Sequence, residues 1–128
     1  MKEGSENILL KSSDDHGILR LILNDPDNKN ALSESMIKKL IDAISEASED
    51  NSVKVVVIAS KGDVFCSGHN LKEINEAKKA DDNGESYYLE LFNTCSSMMQ
   101  LIINCSKPVI AEVNGIATAA GCQLVASC

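Results

Sequence analysis

Residues 109–127 read Val-Ile-Ala-Glu-Val-Asn-Gly-Ile-Ala-Thr-Ala-Ala-Gly-Cys-Gln-Leu-Val-Ala-Ser. The pattern predicts a strand over 109–113, a turn at Asn114-Gly115 and an apolar helix that begins near Ala120. Small side chains before the helix leave backbone N–H groups uncovered, and the positive end of the helix dipole lies at the same place. The stretch therefore predicts a site for negative charge at the start of this helix.

A second segment has the same organisation earlier in the chain. Residues 53–59 are β-branched and apolar, which is typical of a buried strand, and residues 64–73 follow as Val-Phe-Cys-Ser-Gly-His-Asn-Leu-Lys-Glu. Two backbone donors that converge on one carbonyl oxygen form an oxyanion hole, often the largest catalytic contribution where charge builds on oxygen. Together the two segments predict such a hole.

The composition limits the classes of function. At 128 residues the chain is long enough for one domain and too short for two. Its net charge of −7 argues against a nucleic-acid partner, because phosphate binding needs clustered Lys and Arg. No apolar stretch approaches the ~18 residues of a membrane span.

The cysteines argue against a bound metal. Five are present, and they lack the spacing of a zinc site. Because free Cys is often interior, we expect small buried thiols in a reducing compartment. These residues are Cys66, Cys95, Cys105, Cys122 and Cys128.

Periodicity assigns the other elements. Residues 8–10 and 18–23 flank a turn-rich link and predict a hairpin. Ser33 is suited to cap a helix whose apolar positions run from Met36 to Ala47. The remaining segments are predicted as a loop at 61–68, a short helix near 71–74, a loop at 77–84, a long helix at 88–102 and a buried strand from Pro108. This alternation predicts an α/β layer fold with parallel strands.

The end of the sequence has a pattern of its own. Residues 122–128 have the pattern of the first turns of an apolar helix, whose last carbonyls and apolar face need partners. We therefore expect residues 1–128 to be the N-terminal part of one larger domain.

Three segments resemble the enoyl-CoA hydratase/isomerase family, also called the crotonase superfamily, and they occur in the family's order and spacing. They are residues 24–33, with Asn24-x-Pro26 and Lys29-Asn-Ala-Leu-Ser33, residues 65–73 and residues 113–124. The resemblance implies an α/β, crotonase-like (ClpP/crotonase) fold of repeated β-β-α units, of which this chain has the N-terminal half.

The resemblance also implies roles for individual residues. The two oxyanion-hole donors are the backbone N–H groups of His69 and Ala120. The family binds coenzyme A thioesters, so coenzyme A is expected as part of the substrate and not as a prosthetic group. The implied substrate-binding residues are Lys29, Ala31, Ser67, His69, Asn70, Leu71, Lys72 and Ala120. Asn70 departs from the Asp that is usual in the family.

Gln123 stands where hydratases of the family have a catalytic Glu. An amide can hold a water molecule but cannot take its proton, and a positioned acid or base typically contributes ~10²–10⁴-fold to the rate. The family's second carboxylate is expected beyond Cys128.

Three hypotheses follow from this departure. The first is an enoyl-CoA hydratase-like lyase of fatty-acid metabolism, which stabilises a thioester enolate. The second is a non-catalytic acyl-CoA-binding or regulatory protein, and the third is a fragment without function. The resemblance further implies a homotrimer or hexamer when full length, in the mitochondrial matrix or the cytoplasm, although the chain shows no targeting segment.

Overall fold

Three β-β-α units follow one another in the computed structural model, which describes residues 7–128. The first unit is β1 (Leu9–Ser13), β2 (Ile18–Leu23) and α1 (Glu34–Glu49). The second is β3 (Val55–Ser60), β4 (Val64–Cys66), α2 (Leu71–Ala77) and the additional helix α3 (Glu85–Ile103). The third is β5 (Val109–Ala111), β6 (Ile116–Ala117) and α4 (Ala120–Ser127). The predicted α/β fold of repeated β-β-α units is confirmed.

Two sheets organise these units. The larger has the strand order β1-β2-β3-β5, and the smaller pairs β4 with β6. The hairpin β1–β2 is antiparallel, with Leu9 opposite Leu23, whereas β2–β3 and β3–β5 are parallel. The strands β4 and β6 are also parallel. The parallel order places the ends of β4 and β6 side by side, so that the loops that follow both strands begin at the same edge.

The core lies between the larger sheet and the helices α1 and α3. Ser33 begins α1 as predicted, because its side chain accepts a hydrogen bond from the Met36 N–H at 3.1 Å. The fully buried side chains come from every layer and include Leu21, Leu40, Ile58, Phe65, Met98 and Leu124. Burying one such side chain contributes about 1.5–3 kcal/mol. The core therefore holds the short strand β4 and the helix α4, and with them the two loops, in place.

Two strand predictions differ from the structure. Residues 61–68 were expected to form a loop, but Val64–Cys66 form β4, because pairing with β6 satisfies their backbone groups. The strand from Pro108 was expected to be buried, but β5 is the last strand of its sheet and Ile110 is 52% exposed. Both differences depend on tertiary pairing, which local periodicity does not report.

The prediction of buried cysteines is confirmed at two of the five positions, is wrong at two, and Cys105 is half-buried. Cys66 and Cys95 are buried as expected, and burial raises the pKa of both thiols. Cys122 and Cys128 are exposed, although partial burial of its sulfur raises the pKa of the Cys128 thiol to about 11. All five are free thiols.

Within residues 7–128, no helix is long and apolar enough to cross a bilayer. In the same part of the chain, no group of three His, Cys, Asp or Glu side chains is arranged to hold a metal ion.

Candidate functional site

Two loops meet at Gly68. The first loop (residues 67–70) follows β4, and the second loop (residues 118–120) follows β6; the Thr118 N–H donates to the Cys66 carbonyl at 3.1 Å. A Cβ atom on Gly68 would lie 3.0 Å from the Cβ of Ala119 and 3.1 Å from the N of Ala120. The φ of Gly68 is +92°, a region that side chains rarely adopt. Glycine therefore allows the two backbones to touch.

The contact brings the predicted donor amides of His69 and Ala120 together. Among residues 7–128, neither amide donates a hydrogen bond to a backbone carbonyl. The Leu32–His69 bridge leaves the His69 N–H free, since it uses the Leu32 N–H and the Gly68 carbonyl. More than nine in ten buried backbone N–H groups are paired in folded proteins. Two neighbouring unpaired donors, with Ala120 only 9% exposed, are suited to share one external acceptor.

A strained residue sets the direction of the second amide. Ala119 has φ 52° and ψ −128°, which is the first central position of a type II′ turn and is usually occupied by glycine. The Gly121 N–H closes this turn on the Thr118 carbonyl at 2.8 Å. The ψ of Ala119 orients the peptide plane that carries the Ala120 N–H. Strain of this kind persists where the surroundings fix it, and it clusters at functional sites.

Helix α4 begins directly at this turn. No side chain caps its N-terminus, but the N–H groups of Gly121, Cys122 and Gln123 donate to the carbonyls of Thr118 and Ala119. The Ala120 N–H is therefore the amide left for an external acceptor at the positive end of the helix dipole. The binding of negative charge at this end of α4 stays a prediction. The strain at Ala119 could not be predicted from the sequence, because alanine gives no signal for positive φ.

A cavity of about 280 Å³ adjoins the first loop. Seven of the residues that the resemblance assigned to substrate binding line this cavity: Lys29, Ala31, Ser67, His69, Asn70, Leu71 and Lys72. Asp27 and Asn28 complete its lining. The structure thus brings these seven residues together, and their contact with coenzyme A remains a prediction. Ala120, the eighth, lies beyond His69 at the second loop.

The cavity walls are joined by hydrogen bonds. The Ser67 N–H donates to the Lys29 carbonyl at 3.1 Å, and the Lys72 Nζ lies 3.4 Å from the Asn28 Oδ1. The Asn70 Oδ1 accepts from the N–H groups of Lys72 and Glu73 at 3.0 and 3.3 Å and so caps α2. Asn and Asp cap helices equally well. The departure of Asn70 from the family's Asp therefore preserves the cap and removes a negative charge from the cavity.

Asn30 is a positioning residue that the sequence analysis did not assign. Its side chain is fully buried, donates to the carbonyls of Lys61 and Val64 at 2.8 Å each, and accepts from the Asp25 N–H at 2.8 Å. These bonds tie the loop that carries Lys29 to the loop that precedes β4. In the sequence, an Asn within a polar loop has the same pattern whether its side chain joins two loops or lies exposed in a turn. The role of Asn30 was therefore not predictable.

The His69 side chain turns towards α3. Its ring packs edge-on against Phe92, with the ring centroids 5.3 Å apart and an interplanar angle of 74°. Burial lowers the pKa of the imidazole below its usual value. Within the described residues, its Nδ1 atom is buried without a hydrogen-bond partner. The ring is therefore neutral at physiological pH and behaves as part of an apolar surface.

Gln123 lies in the first turns of α4, close to the strained turn. Its N–H donates to the Ala119 carbonyl at 3.2 Å, and the residue is exposed. A carboxamide both donates and accepts hydrogen bonds, but it does not titrate near neutral pH. The structure thus places a group that can orient a water molecule, but cannot deprotonate it, one helical turn from the Ala120 amide.

The family model for enoyl-CoA hydratase/isomerase matches residues 13–128. The chain belongs to the enoyl-CoA hydratase/isomerase family. The mitochondrial enoyl-CoA hydratase domain-containing protein 3 of Xenopus laevis is 51% identical over 114 residues, which are 89% of this chain and 37% of that protein.

Solved structures of the family superpose on most of the chain. A crystal structure of an enoyl-CoA hydratase from Mycobacterium smegmatis has a TM-score of 0.87 at 46% identity, and covers 96% of this chain and 46% of that one. The human enoyl-CoA hydratase domain-containing protein 3 has a TM-score of 0.84 at 43% identity, with 95% and 46% coverage. The predicted crotonase fold is confirmed, and the chain spans less than half the length of these relatives.

Proposed function

We propose that this family member binds acyl-CoA or enoyl-CoA thioesters and holds the thioester carbonyl between the backbone amides of His69 and Ala120. The observation that carries the proposal is the contact between the two loops at Gly68. A Cβ atom added to Gly68 would lie 3.1 Å from the Ala120 N. This contact fixes two unpaired donors side by side. In such a site, preorganised donors stabilise charge that develops on the oxygen, at no cost of reorganisation during the reaction.

The cavity beside the first loop is the proposed site for the coenzyme A portion. Lys29 and Lys72 give this cavity two positive charges, although the net charge of the whole chain is −7. Ammonium groups bind phosphates as point charges, so these two lysines are suited to the phosphates of coenzyme A. His69, whose amide is the first proposed oxyanion donor, is one of the residues that line this cavity. A thioester that lies in the cavity therefore presents its carbonyl to the proposed hole.

The chemistry supported by this arrangement is stabilisation of a thioester enolate. In hydration of a trans-2-enoyl-CoA, the oxygen of water bonds to C3, the electron pair of the double bond moves into the enolate, and a proton then bonds to C2. The amides of His69 and Ala120 would hold the enolate oxygen. Gln123 would orient the water, but the proton that the water loses must go to another group, because a carboxamide does not accept it.

A second candidate function follows from Gln123. If no other base serves the water, the protein binds acyl-CoA without turnover, as a carrier or regulator. The exposed carboxamide beside the hole favours this reading over an efficient hydratase, since a missing acid/base group typically costs ~10²–10⁴-fold in rate. An assay of crotonyl-CoA hydration distinguishes the two: measurable turnover supports the enzyme, and tight binding without turnover supports the carrier.

Binding calorimetry with three ligands tests the proposal. The ligands are acetyl-CoA, its thioether analogue that lacks the carbonyl oxygen, and free coenzyme A. If two amides hold the carbonyl, acetyl-CoA binds about tenfold or more tightly than the thioether, because two hydrogen bonds contribute roughly 0.5–1.5 kcal/mol each. Equal affinity for the thioester and the thioether would remove the oxyanion hole from the account.

The cellular setting is a proposal as well. The Xenopus laevis relative carries the word mitochondrial in its name, and we propose the mitochondrial matrix and a role in fatty-acid metabolism for this protein. We also propose a homotrimer or a pair of trimers for the full-length form. Light scattering coupled to size-exclusion chromatography measures the mass of the assembly, and a monomer would contradict the proposal.

A further inference from the structure

A second cavity, of about 420 Å³, lies between α1 and α3. It shares no lining residue with the cavity proposed for coenzyme A, and neither His69 nor any residue of the second loop lines it. Its volume lies within the ~300–1,000 Å³ that is typical of sites for small molecules. The cavity is therefore a candidate for a second ligand, separate from the thioester.

The lining of this cavity combines buried apolar side chains with exposed charged ones. Ile37 and Leu91 belong to the core and are only 1% and 5% exposed. The charged side chains are the carboxylates of Glu34 and Glu90 and the ammonium group of Lys38, and all three residues are exposed. An apolar floor below a charged rim suits a small amphipathic molecule, which has an apolar body and one charged group.

The charges around the cavity favour a cation as that group. The Glu73 carboxylate of α2 accepts from the Glu34 N–H at 3.1 Å, so a third carboxylate stands beside Glu34. Among residues 7–128, Lys38 and the carboxylates of Glu34, Glu73 and Glu90 form no ion pair. In the same range, no three acidic groups are arranged to hold a metal ion. The excess of negative charge is therefore suited to an organic cation.

Tyr87 adds a buried acceptor to the wall of the cavity. Its Oη atom is buried and, within the described residues, has no hydrogen-bond partner. Burial and the nearby carboxylates of Glu34 and Glu73 raise the pKa of the phenol, but neither carboxylate makes a hydrogen bond of normal geometry with it. A buried polar atom without a partner is rare in folded proteins. An N–H group of a ligand would supply the partner.

We propose that the cavity between α1 and α3 binds a small organic ammonium ion, whose apolar body covers Ile37 and Leu91 and whose N–H groups donate to the Tyr87 Oη and the Glu90 carboxylate. Tyr87 and Glu90 are three residues apart on α3 and are therefore neighbours, so one ammonium group contacts both. The ligand class is a primary ammonium ion with a hydrocarbon chain or ring. Anions are disfavoured by the carboxylates.

Chemical-shift titrations of the purified protein with three probes test the proposal. The probes are n-hexylammonium, n-hexyltrimethylammonium and hexanoate, which share a similar apolar chain. Hexylammonium should bind at least about threefold more tightly than hexanoate, because it can pair with the carboxylates. Tyr87→Phe should weaken hexylammonium binding by about two- to tenfold, since one hydrogen bond is lost. The same substitution should leave hexyltrimethylammonium unchanged, because that cation has no N–H group.

Two charge variants separate the cavity from general attraction to an acidic protein. Glu90→Gln should weaken the binding of both cations by about two- to fivefold. Glu49→Gln is the matched control, because Glu49 is an exposed residue at the end of α1 and does not line the cavity. It should leave all three affinities unchanged. Equal losses in Glu90→Gln and Glu49→Gln would overturn the proposal.

The remaining outcomes also decide. Hexanoate that binds as tightly as hexylammonium, or the absence of binding by every probe, would overturn the ammonium site. Acetyl-CoA added to the complex should not displace hexylammonium, because the two cavities share no residue. Displacement would place both ligands in one site and contradict a separate cavity.

Discussion

Gly68→Ala is the sharpest perturbation of the site, because one methyl group enters the contact between the two loops. Its carbon would lie 3.0 Å from the Ala119 Cβ and 3.1 Å from the Ala120 N, closer than ordinary van der Waals distance. The φ of +92° adds conformational strain of about 1–2 kcal/mol for a residue with a side chain. Overpacking typically costs about 1–3 kcal/mol. We therefore expect the free energy of unfolding to fall by about 2–5 kcal/mol, and the amides of His69 and Ala120 to move apart.

Urea denaturation and thioester calorimetry measure the two effects separately. Gly62→Ala is the matched control: its φ is +85°, so it carries similar strain, but its added carbon would face the Cβ of Pro26 and not the two loops. Both variants should lose stability, and only Gly68→Ala should lose acetyl-CoA affinity, by about tenfold or more if both carbonyl hydrogen bonds are weakened. Equal thioester affinity in Gly68→Ala and the unsubstituted protein would refute the geometric argument.

Four further predictions test other parts of the site. Gln123→Glu should raise the rate of crotonyl-CoA hydration by about tenfold or more. The control Gln100→Glu adds the same charge elsewhere and should not raise it. If Gln123→Glu binds the thioester and gives no gain in rate, a second group is limiting. Ala120→Val should weaken acetyl-CoA binding by crowding the hole, whereas His69→Ala should leave it nearly unchanged; the reverse ranking contradicts the assignment of donors. Because burial lowers the pKa of His69 from its ordinary value of 6.5, the unfolded chain binds more protons than the folded chain as the pH falls through 6.5, and the free energy of unfolding should fall with it. Urea titrations should show a smaller slope in His69→Phe, and an unchanged slope would exclude His69 as its source. Asn30→Ala should lower the free energy of unfolding by about 3 kcal/mol or more, because it leaves buried backbone groups unpaired. A loss below about 1 kcal/mol in urea denaturation would show that the three hydrogen bonds of Asn30 do not hold the loops together.

The elements of this fold are largely legible in the sequence, because their signals are local. The apolar face of α1 and its Ser33 cap depend on periodicity and on one side chain, and both were predictable. The parallel order of β2 and β3 follows from the alternation of strands and helices. The two loops could be identified because small residues follow a strand and precede a helix in both.

The parts that sequence analysis missed depend on tertiary contacts. The strand β4 exists because β6 pairs with it, and β6 has only two residues. The strain at Ala119 is imposed by the turn that closes on Thr118, and alanine gives no sign of it. Asn30 clamps two loops that are distant in sequence, so its role is visible only after folding. The contact of Phe92 with His69 likewise joins distant segments.

The most direct test of the central claim is the infrared stretch of the thioester carbonyl in the bound state. Acetyl-CoA labelled with ¹³C at the carbonyl is bound to the protein, and the labelled band is isolated by difference against the unlabelled ligand. If the amides of His69 and Ala120 both donate to the oxygen, the band shifts to lower frequency than in water, and Gly68→Ala returns it towards the solution value. A bound thioester whose carbonyl band matches the solution value would contradict the account.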